Sequence, residues 1–301
     1  MDSKTLVASA QRWMTTGLEA YARVTDLDFA VHHFGIATEH ALKALLASYH
    51  PALVIDANDF HGLLHATGNG ALIKTSLTNA RTIQAATAFE RCNQLLKPPL
   101  PVKADVFKGL MNARNGVSHL GVHEKSEARQ HLITTIRIVD PLLSALGVEE
   151  DQFWGHYKTL RDELLVEHAD DLKLAFMTKI ANAKNVLTAR LSPDLDPEDL
   201  ARLSAESVWI DSDEEPAKCP ACGMEGRLWG SLFVEQQGEG EGPEEDEDWA
   251  VVLYPLGFKC PVCQLRLELE EFDLAGLPRE VRTAHDPYDW AVPDEDMYRD
   301  R

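Results

Sequence analysis

The stretch that decides the fold of the first half of the chain is residues 102–119, VKADVFKGLMNARNGVSH. Its apolar residues recur at intervals of three and four, the spacing of one helix face, so it predicts an amphipathic helix. We expect this helix to end near Gly116, because glycine adopts a positive φ at low cost. Arg114 then lies in the last turn, and the chain can turn back so that His119 comes beside it. A continuous helix would instead separate the two side chains by about 140°.

Arg114 and His119 suit the cleavage of RNA without a metal ion. Imidazole transfers protons in both directions near neutral pH, because its ordinary pKa lies there. Arginine stays charged, and its planar fork of donors matches phosphate oxygens. In this interpretation His119 moves the proton of the 2′-hydroxyl or of the leaving group, and Arg114 stabilises charge on the phosphate. Taken alone, the pair is also compatible with a capping arginine and a surface histidine.

The same residues resemble a family signature. Arg114, Asn115 and His119 follow one amphipathic helix and precede another, and they resemble the R-x4–6-H motif of HEPN domains. In that motif a polar residue follows the arginine, as Asn115 does here. An upstream helix at residues 34–46, with an acidic residue and a Leu-Lys pair, resembles the second helix of the family. The resemblance covers roughly residues 5–147, about half of the chain.

The HEPN resemblance implies an up-and-down helical bundle that pairs as a homodimer, with two Arg/His pairs facing each other across a composite cleft. Many members are metal-independent endoribonucleases of toxin and phage-defence systems, and others are inactive binding modules. Carried over by position, Arg114 and His119 are catalytic and Asn115 supports them. Ser118 binds a phosphate oxygen or caps the helix. One subgroup carries tyrosine where this chain has Gly121, so a modified-tyrosine toxin–antitoxin scheme is not supported.

The second predicted helix carries further polar candidates for the cleft. Glu39 and Lys43 are four residues apart, so they pair on the helix surface, or Glu39 lies near the cleft. His32, His33 and His40 are expected on the surface or in satisfied core positions, with a contact to the cleft as the alternative. Each of these interpretations follows from spacing within one helix.

Charge is distributed unevenly along the 301 residues, whose net charge is −20. Residues 1–147 carry a net charge of +2, residues 148–205 carry −5, and residues 206–301 carry −17. The acidity therefore belongs to the C-terminal part, and the N-terminal part can present a local basic cleft to RNA. Phosphate contacts over much of the C-terminal part are disfavoured.

The chain is expected to be a soluble, cytoplasmic protein with no membrane partner. Its first residues, MDSKTLV, lack the apolar region of a signal peptide. The longest apolar-rich run, residues 249–258, is far shorter than the roughly 20 residues that span a bilayer. Five cysteines do not indicate a secreted disulfide scaffold.

We expect a mainly α protein in three parts. These are an HEPN-like helical bundle at residues 1–147, a helical linker or stalk at 148–207, and a zinc ribbon with an acidic insertion and tail at 208–301. Helices are predicted for residues 4–24, 28–49, 73–96, 102–116, 126–146 and 150–191, with a break near 169–171 and a short helix at 197–207.

The apolar residues of segment 150–191 leave two alternatives open. Phe153, Tyr157, Leu160 and Leu164 have 4-3-4 spacing, and residues 176–187 roughly continue it. Such spacing is typical of a coiled-coil stalk that extends a dimer. A plain helical hairpin packed on the bundle explains it equally well.

Two C-P-x-C knuckles give the strongest metal signal in the sequence. Cys219 and Cys222 form one pair and Cys260 and Cys263 the other, with 37 residues between the pairs. Two such turns can direct four thiolates at one point, which is the tetrahedral ligand set of a structural Zn²⁺. Residues 227–234, 250–258 and 265–272 have strand-like composition, so the arrangement resembles a zinc ribbon. Four cysteine ligands leave no open position, so such a site holds the fold and does not catalyse.

Other metal-like or reactive residues receive structural interpretations. His61 and His65 have the i,i+4 spacing of some metal sites, but no glutamate follows His61, so a metalloprotease is not supported. Cys92 is expected to be buried in helix packing, because no catalytic context surrounds it.

The acidic insertion at residues 235–248 has two interpretations. It is a solvated loop, or it mimics nucleic acid and covers the catalytic cleft or docks a basic partner. The tail, with Tyr288 and Trp290, packs on the ribbon or acts as a docking peptide.

The residues and the resemblance together favour a metal-independent endoribonuclease with Arg114, His119 and Asn115 as its site, and the resemblance implies a toxin or antiviral-defence setting. Its partners would be RNA, a second copy of the chain, and an inhibitory or activating protein; zinc would be structural and catalysis would need no cofactor. The rival is a non-catalytic HEPN-like dimer that recruits a partner through its ribbon and acidic region. A weaker third hypothesis is a zinc-ribbon nucleic-acid reader with a helical dimerisation domain.

Overall fold

A computed structural model describes residues 2–23, 26–121, 124–190, 214–237 and 248–287. The protein is mainly helical and carries a small antiparallel sheet in its C-terminal region, which confirms the predicted fold class at this level. It divides into two compact units, the bundle unit (Met1–His168) and the cysteine unit (Ala169–Arg301). The three-part division expected from the sequence stays a prediction. Among the described residues, no helix combines the length and apolar character needed to cross a membrane.

The bundle unit is built from helices and short 3-10 turns. The helices are α1 (Ser3–Ala22), α2 (Leu27–Tyr49), α3 (Phe60–Ala66), α4 (Ala85–Leu95), α5 (Ala104–Leu120), α6 (Ala128–Ala145), α7 (Glu150–Trp154) and the first part of α8 (Lys158–Arg190). The 3-10 turns are Pro51–Val54, Gly70–Leu72, Leu77–Asn79, Lys125–Glu127 and Gly155–Tyr157.

Helix α2 is the central element of the bundle unit. Most of its residues are buried, and it packs against α1, α4, α5 and α6. Small residues such as Ala37, Ala41 and Ala44 let neighbouring helices approach closely, while Phe34 and Leu42 fill the core between them. A helix that is apolar on nearly every side is stable only when it is buried in this way.

Two helix boundaries differ from those predicted. The helix expected over residues 73–96 begins only at Ala85, because residues 74–82 are rich in threonine, serine and asparagine, which favour turns over helices. Helix α5 does not end at Gly116 but continues to Leu120. Gly121 ends it in the left-handed conformation with φ of 70°, and its amide donates to the carbonyl of Val117.

The segment after the bundle also differs in where it breaks. The chain turns at Gly155, which has φ of 53°, and α8 then runs without interruption through the predicted break at 169–171. Phe153 and Leu164 are buried in the core of the bundle unit, and Tyr157 and Leu160 pack against it. Of the two alternatives for these four residues, packing on the bundle is the one that the structure shows.

The cysteine unit contains an antiparallel sheet in the order β1-β2-β3-β4, with β5 paired to β3. The strands are β1 (Glu214–Lys218), β2 (Glu225–Gln237), β3 (Asp248–Lys259), β4 (Arg266–Glu268) and β5 (Val281–Arg282). The strand predicted over residues 265–272 is therefore wrong beyond Glu268. A capping box between Glu268 and Glu271 starts a 3-10 turn there, followed by α9 (Phe272–Ala275).

The second part of α8 supplies one side of the core of the cysteine unit. Phe176, Ile180, Ala183 and Leu187 pack with Leu228, Leu253 and Phe258 from the inner face of the sheet. The helix predicted at 197–207 and the tail from 288 onward lie outside the described residues. Of the acidic insertion predicted at 235–248, residues 238–247 also lie outside them, whereas residues 235–237 end β2 and residue 248 begins β3.

Candidate functional sites

Arg114 lies where α5 crosses α2. A side-chain carbon added at Gly35 would come 2.7 Å from Cβ and from Cγ of Arg114, so the arginine stem rests directly on the α2 backbone. The guanidinium group then reaches Glu39, one turn further along α2, and its Nη2 donates to Oε2 of that carboxylate. Glycine at position 35 is therefore what allows the arginine to lie against α2.

Glu39 connects Arg114 to a second cation. Its Oε1 accepts from Nζ of Lys43 at 2.6 Å, and the same Nζ donates to the hydroxyl of Thr82 at 2.8 Å. The Lys43 side chain is only 7% exposed, so the pair is not the surface pair expected from the spacing. Glu39 thus forms ion pairs with two cations and leaves one positive charge uncompensated within the group. The Nε of Arg114 is buried with no hydrogen-bond partner among the described residues.

A cleft of about 490 Å³ opens beside this ion pair. Its walls come from α2, α4 and α5 and from the segment just before α4, and they include Glu39, Thr82, Gln84, Phe89, Arg114 and Asn115. The structure therefore brings together two of the three residues predicted for the site, Arg114 and Asn115, in the wall of the cleft.

His119 does not join them within one chain. Because α5 is continuous, five residues separate it from Arg114 by about 140° around the helix axis. The His119 side chain is exposed, and it is not part of the cleft wall. Leu120 beside it is 76% exposed, which leaves an apolar side chain in water at the end of α5.

The histidines of α2 occupy different environments. Nδ1 of His40 lies 3.0 Å from the hydroxyl of Ser9, so this ring is a satisfied helix-contact residue. Burial, His33 and the nearby Arg114 cation lower the pKa of His32. His32, Gly35 and Glu39 are spaced three and four residues apart and share one face of α2. This spacing is visible in the sequence, but it does not predict the contact with Arg114, which lies on another helix.

The remaining candidates in the bundle unit have structural contacts. Nδ1 of His61 lies 3.2 Å from the hydroxyl of Thr75, and Nε2 of His65 lies 2.6 Å from the carbonyl of that threonine. Cys92 is fully buried, and its burial raises the pKa of the thiol to about 12, so it is unreactive at neutral pH.

The four cysteines of the two knuckles form one cluster. Sγ of Cys219 lies 3.5 Å from Sγ of Cys263, and Sγ of Cys222 lies 3.6 Å from Sγ of Cys260. All four sulfur atoms lie within 4.8 Å of one another, and none is in a disulfide. Four sulfurs bound at about 2.3 Å to a tetrahedral metal ion would be about 3.8 Å apart. The cluster therefore fits a single metal ion such as zinc.

The sheet places both knuckles at the same end. The first knuckle joins β1 to β2 and the second joins β3 to β4, and Arg227 of β2 pairs with Lys259 of β3 between them. In each knuckle the amide of the first cysteine donates at 2.8 Å to a carbonyl five residues later, that of Met224 or Leu265. Each loop is thus closed on itself before any metal is considered.

The residue after each second cysteine has a left-handed backbone. Gly223 has φ of 74° and Gln264 has φ of 60°. Glycine adopts this conformation freely, whereas glutamine pays a conformational cost for it. The two knuckles therefore have the same backbone turn, but the glycine of the first knuckle suits it better than the glutamine of the second.

Electrostatics within the cluster favours a thiolate. A hydrogen bond from Cys219 lowers the pKa of Cys260, and the same interaction raises the pKa of Cys219. Metal ions bind the thiolate form, so this donor set suits a metal ligand set. Among the described residues these four cysteines are the only group of three or more His, Cys, Asp and Glu side chains close enough to share an ion.

No family model, no curated protein and no solved structure matches the chain. The likeness to HEPN domains therefore rests on Arg114, Asn115 and His119 and on the helices that carry them. Two sites follow from the geometry itself: the cleft beside Arg114 and the four-cysteine cluster.

Proposed function

We propose that the protein is a metal-independent endoribonuclease that acts as a homodimer. The observation that carries the proposal is the placement of Arg114 at the wall of a cleft, held there by Glu39 and Gly35. A permanent cation in a fixed position, beside a cavity and next to the exposed amide of Asn115, suits the recognition of a phosphate group. The setting would be a toxin-like or antiviral RNase, as in the family it resembles.

In this reaction the 2′-oxygen of one ribose attacks the adjacent phosphorus, and the bond from phosphorus to the 5′-oxygen breaks. The 2′-hydroxyl loses a proton and the 5′-oxygen gains one, so the products are a 2′,3′-cyclic phosphate and a 5′-hydroxyl. Arg114 stabilises the charge that builds on the phosphate oxygens. Asn115 positions the phosphate, and His119 transfers a proton.

A second copy of the chain completes the site. Arg114 and His119 diverge around α5, so the His119 that serves one Arg114 comes from the partner protomer. The exposed Leu120, next to His119, offers an apolar contact that pairing can bury. The dimer follows from this divergence together with the composite cleft that the resemblance implies.

Zn²⁺ is the proposed occupant of the four-cysteine cluster, with a structural role. The sulfur spacing and the all-thiolate set suit zinc, and they leave no open position for a substrate. Bound there, the ion would join the β1–β2 and β3–β4 hairpins and take no part in RNA cleavage.

RNA cleavage in the presence of EDTA tests the proposal. Wild-type protein should leave 2′,3′-cyclic phosphate ends, and Arg114→Ala and His119→Ala should each reduce the rate by roughly 100-fold or more. The zinc content and dimer state of each sample serve as controls for folding. Equal cleavage by all three proteins would assign the activity to a contaminant.

Mixing the two inactive variants tests the composite site. A dimer of Arg114→Ala with His119→Ala contains one intact pair if the residues act across the interface, so part of the activity should return. If the residues act within one chain, the mixture stays inactive. The exchange of protomers is followed by native mass spectrometry of differently labelled chains.

The second candidate is a non-catalytic dimer that recruits a partner through its C-terminal region. Two observations favour it: Arg114 already has a carboxylate partner in Glu39, and residues 206–301 carry a net charge of −17. It predicts that the protein stays inert towards RNA even when residues 208–301 are removed from a folded dimer. Activity that appears on this truncation would instead identify the acidic region as an inhibitor.

A further inference from the structure

The cleft beside Arg114 extends well beyond the arginine itself. Its volume of about 490 Å³ lies within the roughly 300–1,000 Å³ of pockets that hold small organic groups. Arg114 and Asn115 are two of its fifteen lining residues, and most of the others belong to α4 and α5. The composition of that remainder indicates what it can hold.

The floor of the cleft is apolar. The rings of Phe89 and Phe107 stack with centroids 4.4 Å apart and planes 8° from parallel. Met111 and Ile83 continue this surface, and all four side chains are at least nine-tenths buried. The two rings cover each other and expose little surface, so the floor offers an apolar contact for an aromatic ring.

The rim of the cleft carries amides. Gln84, Asn112 and Asn115 are exposed and line the opening, and each amide offers both donors and an acceptor. Paired donors and acceptors above an apolar floor match the edge of a nucleobase, which presents the same two kinds of group.

The charged side chains of the cleft limit how many phosphate groups of a ligand it can bind. Arg114 and Lys108 are its cations, while Glu39 and Glu90 are its carboxylates, so the net charge is close to zero. Glu39 is already paired with Arg114 and Lys43. One phosphate beside Arg114 is acceptable in this environment, whereas the clustered charge of a triphosphate is not.

We propose that the cleft holds one nucleotide of the RNA. Its base lies on the apolar floor that includes Phe89 and Met111, the polar edge of the base faces Asn112 and Gln84, and its phosphate lies beside Arg114. The proposal rests on the proposed function for the identity of the ligand as RNA. It adds that cleavage depends on the identity of the base in the cleft.

Binding of RNA that cannot be cleaved tests the cleft independently of catalysis. Oligonucleotides with 2′-O-methyl groups lack the attacking hydroxyl, and their affinity for the full-length protein is measured by fluorescence anisotropy. Ala86 is exposed and lines the cleft, so Ala86→Trp fills it from the rim. Gln94→Trp places the same side chain on an exposed position of α4 away from the cleft and serves as the matched control.

We expect Ala86→Trp to weaken binding roughly tenfold or more, the loss that follows when a base is denied its site, and Gln94→Trp to leave binding unchanged. Asn112→Ala should change which base is preferred while the protein melts as the wild type does. Equal affinities and equal base preferences for wild type and Ala86→Trp would overturn the proposal.

The outcomes separate this proposal from the proposed function. A wild type that binds the blocked RNA through the cleft but cleaves no RNA would refute the ribonuclease and keep the nucleotide site. A wild type that cleaves RNA as fast as Ala86→Trp, at the same positions, would keep the ribonuclease and refute the nucleotide site. Free nucleoside monophosphates and triphosphates form a third arm, in which tighter binding of the triphosphate contradicts the charge argument.

Discussion

The bundle unit and the cysteine unit hold their candidate sites in different ways. In the bundle unit the site is a contact between helices: Arg114 and Glu39 are 75 residues apart in the chain and meet only because α2 and α5 pack together. In the cysteine unit each half of the site is a six-residue loop closed by its own backbone hydrogen bonds. One site depends on a large core, and the other depends on two local turns and a β pairing.

This difference predicts different responses to substitution. The bundle unit has an extensive apolar core, so a change at its site removes one contact among many. The core of the cysteine unit is small and includes three of the four cysteines themselves. Small cores of this kind commonly depend on a metal ion for their stability, so the ligand set and the fold are lost together.

The largest effect is expected for the cysteine cluster. Cys260→Ser should abolish metal binding and unfold the sheet, because a structural zinc site contributes on the order of 10 kcal/mol to folding. Metal content per chain and a sheet-specific signal, such as the NMR shifts of β2 and β3, measure the result. Cys92→Ala is the control, since Cys92 is buried in the bundle unit and should leave the metal content unchanged. A Cys260→Ser protein whose sheet stays folded without metal would show that the cysteine unit does not depend on a metal ion for its fold.

The next effect is expected at the ion pair in the bundle unit. Glu39→Ala leaves the buried Lys43 cation without its carboxylate and should lower the free energy of unfolding by about 3 kcal/mol. Urea denaturation measures it. Glu167→Ala, which breaks an ion pair with Arg129 whose side chains are 39% and 62% exposed, should cost less than about 1 kcal/mol. Similar losses for the two variants would show that Glu39 is no more than a surface partner.

Two glycines of the same unit should respond with opposite signs. Gly35→Ala forces a carbon against the stem of Arg114 and should lower the free energy of unfolding by roughly 1–3 kcal/mol. Gly109, inside α5, has open space around it, so Gly109→Ala should raise that free energy by up to about 1 kcal/mol. Thermal unfolding compares them. A stabilising Gly35→Ala would mean that Arg114 moves away without cost.

The smallest effect is expected for the left-handed residue that follows the second cysteine of each knuckle. Gln264→Gly relieves a left-handed glutamine and should stabilise the metal-bound state by about 1 kcal/mol, or about fivefold in apparent metal affinity. Gly223→Ala should change the affinity in the opposite direction by a similar factor. Competition with a chromophoric chelator measures both. Equal affinities for all three proteins would show that the backbone turn does not limit metal binding.

The sequence predicted most where structure is local. Each C-P-x-C knuckle contains its own turn, so the four cysteines were placed together correctly, and the strands on either side of the acidic insertion were found. The third strand was extended too far because the composition of residues 265–272 is strand-like, while the capping box that ends the strand at Glu268 depends on side-chain hydrogen bonds.

The end of α5 and the contacts between helices are less predictable from the sequence. Gly116 and Gly121 are both acceptable helix ends, and only the structure shows that α5 passes through the first and stops at the second. The contact of Gly35 with Arg114 involves two helices, so no pattern within one of them predicts it. The catalytic roles of Arg114, Asn115 and His119 stay predictions.

The two closed knuckles have a consequence for the time course of synthesis. A ribosome adds about 5–20 residues per second, so the 37 residues between the pairs delay the second knuckle by roughly 2 to 7 s after the first. During that interval Cys219 and Cys222 lie in the turn between β1 and β2, while β3, the other strand that pairs with β2, is still being made. The nascent chain therefore carries one half of the four-cysteine site, a thiol pair that can bind a metal ion before the other half exists.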